Sequence, residues 1–576
     1  MIPCDFYPAS EEYADFIGSY TQPSLGNLYE FAAGGCVNLV SREYAIVHVP
    51  LEQAEPLSIA RYGYNPIPKL YGLLDTTALE KSGVLPVFDQ PSLMATGEGI
   101  LIGFIDTGID YMNPLFRRSD GSTRILSIWD QSIRGEDAPP AVGSFQAFYG
   151  SVYDREAINE ALLSEDPYRL VPSRDADGHG TFMAGVAAGN RTGEPSPFSG
   201  AAPDAAIAVV KLKPAKRYLR DFFLISPDAA AYQENDIMTG VAFLLALAGE
   251  LKMPLVICLG VGTSQGAHDG ASPLATQLQL LMGIRGISAV AGAGNEVGFR
   301  RHFLGELAEN QEFQDVELRV AQGEPGFCLE LWAETPELYT VGFISPSGEV
   351  VPPVAMLTEN EISIPLRLDS TRISLTYKPY EAGSGSQLIF LRFQTPSPGL
   401  WHIRVYPSVS VLGRFHMWLP MQGFVSDDTF FLRSNPDTTI TDPGNGIMPI
   451  TVSTYNHRNN SIYIHSSRGY TRSGRQKPEL AAPGVEVQGP SLLPPSGDGG
   501  VSFSRRSGSS VAAAIMAGAV ADIQSWSLKE TETVLTSTAV KSLLIRGADR
   551  NPDLSYPNRQ WGYGTLNLYA SFLLIR

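Results

Sequence analysis

Cysteine is scarce in this chain: four among 576 residues, at Cys4, Cys36, Cys258 and Cys328. None stands in a CxxC pair, which argues against a zinc site, and four so widely spaced do not make a disulfide scaffold. Cys258 lies in the apolar run Pro254-Leu255-Val256-Ile257-Cys258-Leu259, which reads as a buried strand, so its thiol is expected to pack as a small hydrophobe. No run of roughly 18 apolar residues occurs, and no membrane span is expected. The opening Met1-Ile2-Pro3-Cys4-Asp5 has no basic n-region and no long apolar stretch. No standard signal peptide is therefore expected, and synthesis and retention on the cytoplasmic side is the reading. Positive charge is in deficit, 42 basic residues against 60 acidic for a net charge of −18. That argues against nucleic acid as a partner and mildly favours basic substrates. No cofactor is expected, and without an Asp-rich loop of the EF-hand type structural calcium, though possible, finds no support in the sequence.

What is present is chemistry, in three separated segments. Ile102-Gly103-Phe104-Ile105-Asp106-Thr107-Gly108 reads as a buried parallel strand with Asp106 at its carboxyl end. Asp177-Gly178-His179-Gly180-Thr181 sets His179 between glycines at the head of a small-residue helix, Thr181 to Ala188. Gly508-Ser509-Ser510-Val511-Ala512-Ala513 starts a second such helix, Ser510 to Ala521. Acid, base and nucleophile thus follow in the order Asp, His, Ser. A helix N-terminus offers Ser510 free N–H groups and partial positive charge for a developing oxyanion. Ser288 to Asn295 reads as a strand, a tight turn through Gly292-Ala293-Gly294, and then Asn295, whose amide can donate to that oxyanion. Removing one such donor lowers turnover on the order of 100- to 1000-fold. Each residue alone has an ordinary structural reading: a strand-end cap, a loop histidine, an N-cap, a turn. The joint order and contexts carry the functional one.

On these residues the chain resembles a subtilase, and in particular the clostridial Csp group of subtilisin-like proteases, which act in spore germination. Further resemblance lies in Asp110-Tyr111, in Asp120 to Gln131, in Lys477-Pro478-Glu479-Leu480-Ala481-Ala482-Pro483-Gly484, and in Tyr556 to Gly564. Ser509 departs from the commoner Thr before the nucleophile. Some Csp members have lost triad residues; this chain keeps all three.

The resemblance implies an α/β, subtilisin-like parallel sheet flanked by helices. It also implies a small α/β N-terminal prodomain and an inserted all-β jelly-roll domain. The expected boundaries are 1–76 for the prodomain, 77–300 and 431–576 for the two parts of the catalytic domain, and 301–430 for the insert. An ordinary N-terminal subdomain is the alternative to a prodomain. A helix is expected around Glu11 to Tyr20, a strand at Tyr44 to Val49, and a helix around Leu51 to Ala60. As a prodomain the segment is cut within Leu73, Leu74, Asp75, Thr76 and Thr77, and stays bound in the cleft. A long surface loop is expected between Asp130 and Ser173. Strands are expected at Ala206 to Leu212, Pro254 to Gly260 and Gly286 to Val290. They alternate with helices at Asn235 to Leu251 and Pro273 to Met282, as in βαβ units. Leu259-Gly260-Val261-Gly262 follows its strand where subtilases pair backbone with substrate; Gly292, Ala293 and Gly294 are the other expected substrate contacts.

Asn295 and Ser510 stand 215 residues apart (510 minus 295), more than a compact subtilase needs. The excess alternates in short runs such as Phe327 to Trp332 and Leu388 to Phe393, which implies a β-sandwich. A clamp on the catalytic body or a substrate-docking module are its two readings. Function is then a serine endopeptidase acting on protein substrates, activating another protein in germination. A silent scaffold and a general degradative peptidase are the alternatives.

Overall fold

Apolar runs alternating with helices assemble one twisted sheet. The computed structural model describes the chain except residues 1–3, 5–6, 22–23, 74–81, 83, 85–86, 88–94, 135–140, 144, 147, 194–196, 282, 358–359, 493–500 and 575–576. Among the described residues the sheet runs, in spatial order, Ser461–Ile462, Ile450–Asn456, Ile287–Gly292, Leu255–Leu259, Leu101–Asp106, Ala206–Lys211, Ile125–Asp130 and Ser151–Asp154. Leu480–Pro483 pairs beside Ile450–Asn456. The inner pairings are parallel and the two edge strands antiparallel.

All six residues of Leu101–Asp106 are buried, because both faces are covered. Ile102 and Phe104 enter the layer that holds the helices His179–Ala188 and Ser509–Thr531. Leu101 and Ile105 enter the opposite layer, with the helices Glu234–Leu251 and Pro273–Leu280. Ser509–Thr531 is long and apolar enough to cross a membrane by length and composition, yet 89% of its apolar window is buried inside the protein. It is the core helix of the sheet.

Three sequence expectations change. Glu11 to Tyr20 is not a helix: Tyr13–Ser19 is a strand paired antiparallel with Tyr44–Pro50 over seven positions. The distant partner overrides local propensity. Leu51 to Ala60 is two short helices, Leu51–Ala54 and Ile59–Tyr62, since Pro56 between them cannot continue a helix. The stretch from Asp130 to Ser173 is more than a loop. It adds the edge strand Ser151–Asp154 and the helix Arg155–Leu163, capped by Asp154 accepting from Ala157 N–H.

The N-terminal strands form a three-stranded sheet, and a disulfide joins Cys4 to Cys36. Its Asp15 is buried against the helix-bearing body. Lys216 Nζ lies 2.9 Å from Asp15 Oδ1, His48 Nδ1 2.7 Å from the same oxygen, and Gln233 Nε2 donates to Oδ2 at 2.9 Å. Burial pushes this carboxyl up, but the Lys216 charge and the His48 hydrogen bond outweigh it and hold it well below the usual carboxylate range. Breaking such a buried pair strands a charge, so the contact fixes the N-terminal segment in one orientation.

Residues 302–431 form two antiparallel sheets, of six and five strands among the described residues. The strand Gly326–Ala333 is buried along its whole length. Phe327, Leu329 and Leu331 point into the core between the two sheets. Cys328 and Trp332 pack in a second cluster with Tyr64 and Ile67 of the N-terminal segment and Phe222 of the body. The N-terminal segment is thus wedged between both neighbours.

Candidate active site

The Asp106 strand ends, and the His179 and Ser509–Thr531 helices begin, at the same edge of the sheet. His179 Nδ1 lies 2.7 Å from Asp106 Oδ1, and His179 Nε2 lies 3.0 Å from Ser510 Oγ. All three side chains are buried. An ionised carboxylate only accepts, so Nδ1 carries the proton. Nε2 is left as the acceptor for the Ser510 hydroxyl. Thr107 N–H also donates to Asp106 Oδ1, at 2.7 Å, and fixes the carboxylate.

Sequence reasoning missed the residue that holds this corner together. Asp175 Oδ1 accepts from Thr107 Oγ1 at 2.8 Å and from Gly178 N–H at 2.8 Å. Its Oδ2 accepts from Thr181 N–H at 2.8 Å and Thr181 Oγ1 at 2.7 Å. Gly180 N–H donates to Thr107 Oγ1 at 2.9 Å. One carboxylate therefore ties the head of the His179 helix to the end of the Asp106 strand. The sequence offers Asp175 and Asp177 side by side, and only the tertiary contacts distinguish them.

Ser509 has a similar joining role. Its N–H donates to Asn295 Oδ1 at 3.0 Å, and its hydroxyl accepts from Gly294 N–H at 3.1 Å. That bond sets the Asn295 carboxamide with Nδ2 on its other side, and Nδ2 has no partner among the described residues. A Cβ at Gly292 would sit 2.8 Å from Ser509 Oγ, so glycine is required for this approach. Ala293 N–H and C=O are taken by Val452 and Thr441 inside the protein. The turn Gly292-Ala293-Gly294 accordingly props the head of the Ser509–Thr531 helix.

The expected substrate groove is filled by the chain itself. Leu70–Leu73 lies between two short strands, pairing antiparallel with Tyr232–Gln233 on one side and Val261–Gly262 on the other. Val261 is opposite Leu73, Gly262 opposite Gly72, and Tyr232 opposite Tyr71. The Tyr232–Gln233 rim had no signal in the sequence. Leu74, Asp75, Thr76 and Thr77 lie outside the described residues. Leu259 is buried in the core layer beneath. Gly260 stands against Asp106 and His179: a Cβ there would lie 2.7 Å from Asp106 Oδ2 and 3.0 Å from His179 Cε1. Gly260→Ala is expected to displace the imidazole and lower kcat about 100-fold with little change in melting temperature. Peptidase kinetics beside a thermal melt check this; wild-type kcat would refute it.

Cys258 is buried in its strand, and burial with the nearby Asp106 charge pushes its thiol well up, so it packs as an apolar group. Among the described residues the cluster of possible metal ligands is Cys4, Cys36 and His48, and its two cysteines are joined to each other.

Comparison with known proteins agrees with this corner of the fold. The sequence profile of the subtilase family matches residues 97–317 and 427–564. The solved CspB protease of Clostridium perfringens is 30% identical, with a TM-score of 0.73 over 86% of this chain and 98% of that one. Subtilisin-like protease SBT2.2 of Arabidopsis thaliana is 32% identical over 27% of this chain and 19% of its own length. Subtilisin-like protease SBT1.9 of the same plant is 31% identical over 40% of this chain and 29% of its own length. The chain therefore spans less than a third of the length of these curated relatives. With the family profile matched across most of the sequence, the chain belongs to the subtilase family of serine proteases.

Proposed function

We propose that the chain is a serine endopeptidase whose catalytic residues are Asp106, His179 and Ser510, with Asn295 in the oxyanion hole. The observation that carries this is the continuous relay, 2.7 Å from Asp106 to His179 and 3.0 Å on to Ser510. His179 Nε2 takes the Ser510 proton as the hydroxyl oxygen bonds to the scissile carbonyl carbon. The negative charge on the carbonyl oxygen is met by the Ser510 N–H and Asn295 Nδ2. The C–N bond breaks as His179 returns the proton to the leaving amine, giving an acyl-enzyme. Water, deprotonated by the same imidazole, then releases the acid and restores Ser510.

Residues 1–76 act as a prodomain in this reading, cut by the enzyme within Leu73 to Thr77. The pairing of Leu70–Leu73 between the two rims supports this, because it is the β-augmentation a peptide substrate would use. The cleaved segment stays bound, through the Asp15 contacts and the shared hydrophobic cluster, and restrains the enzyme. The sandwich of residues 301–430 clamps that segment against the body, and the resemblance names it a jelly-roll insert. The natural substrate is a protein activated by limited cleavage in spore germination.

N-terminal sequencing of the purified full chain tests this. Two co-purifying chains are expected, the second beginning just after a bond within Leu73 to Thr77. A single chain still starting at residue 1 would overturn the self-processing reading.

A further inference from the structure

Tyr71 is the bulkiest side chain on the strand that occupies the cleft, and it is wholly buried. Its hydroxyl donates to Asp442 Oδ1 at 2.6 Å. Ser272 Oγ donates to the same oxygen at 2.9 Å. Asp442 belongs to the body and not to the N-terminal segment. Its N–H and C=O exchange hydrogen bonds with Thr263, the residue that follows the Val261–Gly262 rim. The carboxyl is therefore fixed relative to the rim that pairs with the cleft strand. The ring lies in the same apolar cluster as Val261, Leu274 and Met448. Burial, with the Glu234 charge close by, pushes the Asp442 carboxyl up to about 7, while the Tyr71 and Ser272 hydroxyls draw it down.

Resting on the protease reading above, we propose that this slot is a tyrosine-selective subsite, with Asp442 as its specificity-determining residue. A protein substrate would then enter with a tyrosine on the incoming strand opposite Tyr232, its ring between the rims and its hydroxyl on Asp442. Phenylalanine fits the same apolar walls but leaves a buried carboxyl short of a donor. A site built to bond a hydroxyl rejects the analogue that lacks it more strongly than an apolar wall rejects a methylene. Aliphatic residues lose both the ring contact and the hydrogen bond. Tyr71 in the chain's own segment is the first occupant.

The test is the rate of Ser510-dependent self-cleavage in the full chain. It is read with Tyr71, Tyr71→Phe and Tyr71→Leu, each with Asp442, Asp442→Asn or Asp442→Leu. With Asp442, Tyr71→Phe is expected to cut roughly 10-fold more slowly, and Tyr71→Leu more slowly still. Asp442→Asn keeps an acceptor oxygen and keeps the order. Asp442→Leu reverses it, so that Phe is cut faster than Tyr. Melting temperatures of the same Tyr71 and Asp442 chains carrying Ser510→Ala are read beside the rates: an order that inverts at matched melting temperatures belongs to the subsite, and rates that merely follow the melting temperatures would overturn it. Equal rates for Tyr and Phe in all backgrounds would overturn the subsite while leaving the protease reading intact. No cleavage in any chain, wild type included, would overturn the self-processing reading and this proposal with it.

Discussion

Ser510→Ala is expected to remain one uncut chain and to lose peptide hydrolysis by on the order of 10⁶-fold, the loss typical of removing a triad nucleophile. The change deletes one oxygen at the head of a buried helix, which tolerates alanine well. The fold and the docked Leu70–Leu73 strand should therefore persist, and the variant should melt close to wild type. Intact mass and peptidase assays of the two proteins side by side decide it. Cleavage at the same bond in both would mean that another protease makes the cut. An uncut wild type would leave a subtilase fold locked by its own segment, the scaffold reading.

The second large effect is at Asp106. Asp106→Ala is expected to lower kcat on the order of 10⁴-fold, since it frees the His179 ring and removes the charge that stabilises the imidazolium. The geometry makes a finer statement. One oxygen, Oδ1, accepts both from Thr107 N–H and from His179 Nδ1. Where the Thr107 N–H holds the asparagine oxygen at that place, the ring keeps its tautomer and loses only the charge; an amide turned the other way would impose the opposite tautomer. Asp106→Asn should thus retain measurably more activity than Asp106→Ala. The gap between them separates orientation from electrostatics. Equal losses would mean that the asparagine turns its NH2 toward His179 and imposes the wrong tautomer. A loss below about 10-fold in Asp106→Ala would remove Asp106 from the mechanism.

Both predictions rest on residues legible from the chain order and local context. The strand before Asp106, the glycines around His179 and the small-residue helix after Ser510 are short-range patterns. Their alternation with other apolar runs carried the parallel sheet. The strand Tyr13–Ser19 was not legible, because its stability comes from a partner some thirty residues on and from a buried Asp15 that Lys216, His48 and Gln233 together make tolerable. Phe327 to Trp332 announced a strand by its alternation but not that both of its faces are buried.

The sequence by itself determined the family, the order of Asp106, His179 and Ser510 proposed as the triad, and the run of helices and strands that brings them to one sheet edge. Tertiary structure alone decided how the site is held and what fills it. Asp175, Thr107 and the Ser509 hydroxyl act through bonds between segments far apart in the chain, and no local pattern encodes such bonds. The seating of Leu70–Leu73 between Tyr232–Gln233 and Val261–Gly262, with Tyr71 on Asp442, is likewise a matter of backbone edges and one buried carboxylate meeting in space. Periodicity reports which face of an element is apolar; it does not report which distant polar group that face will meet.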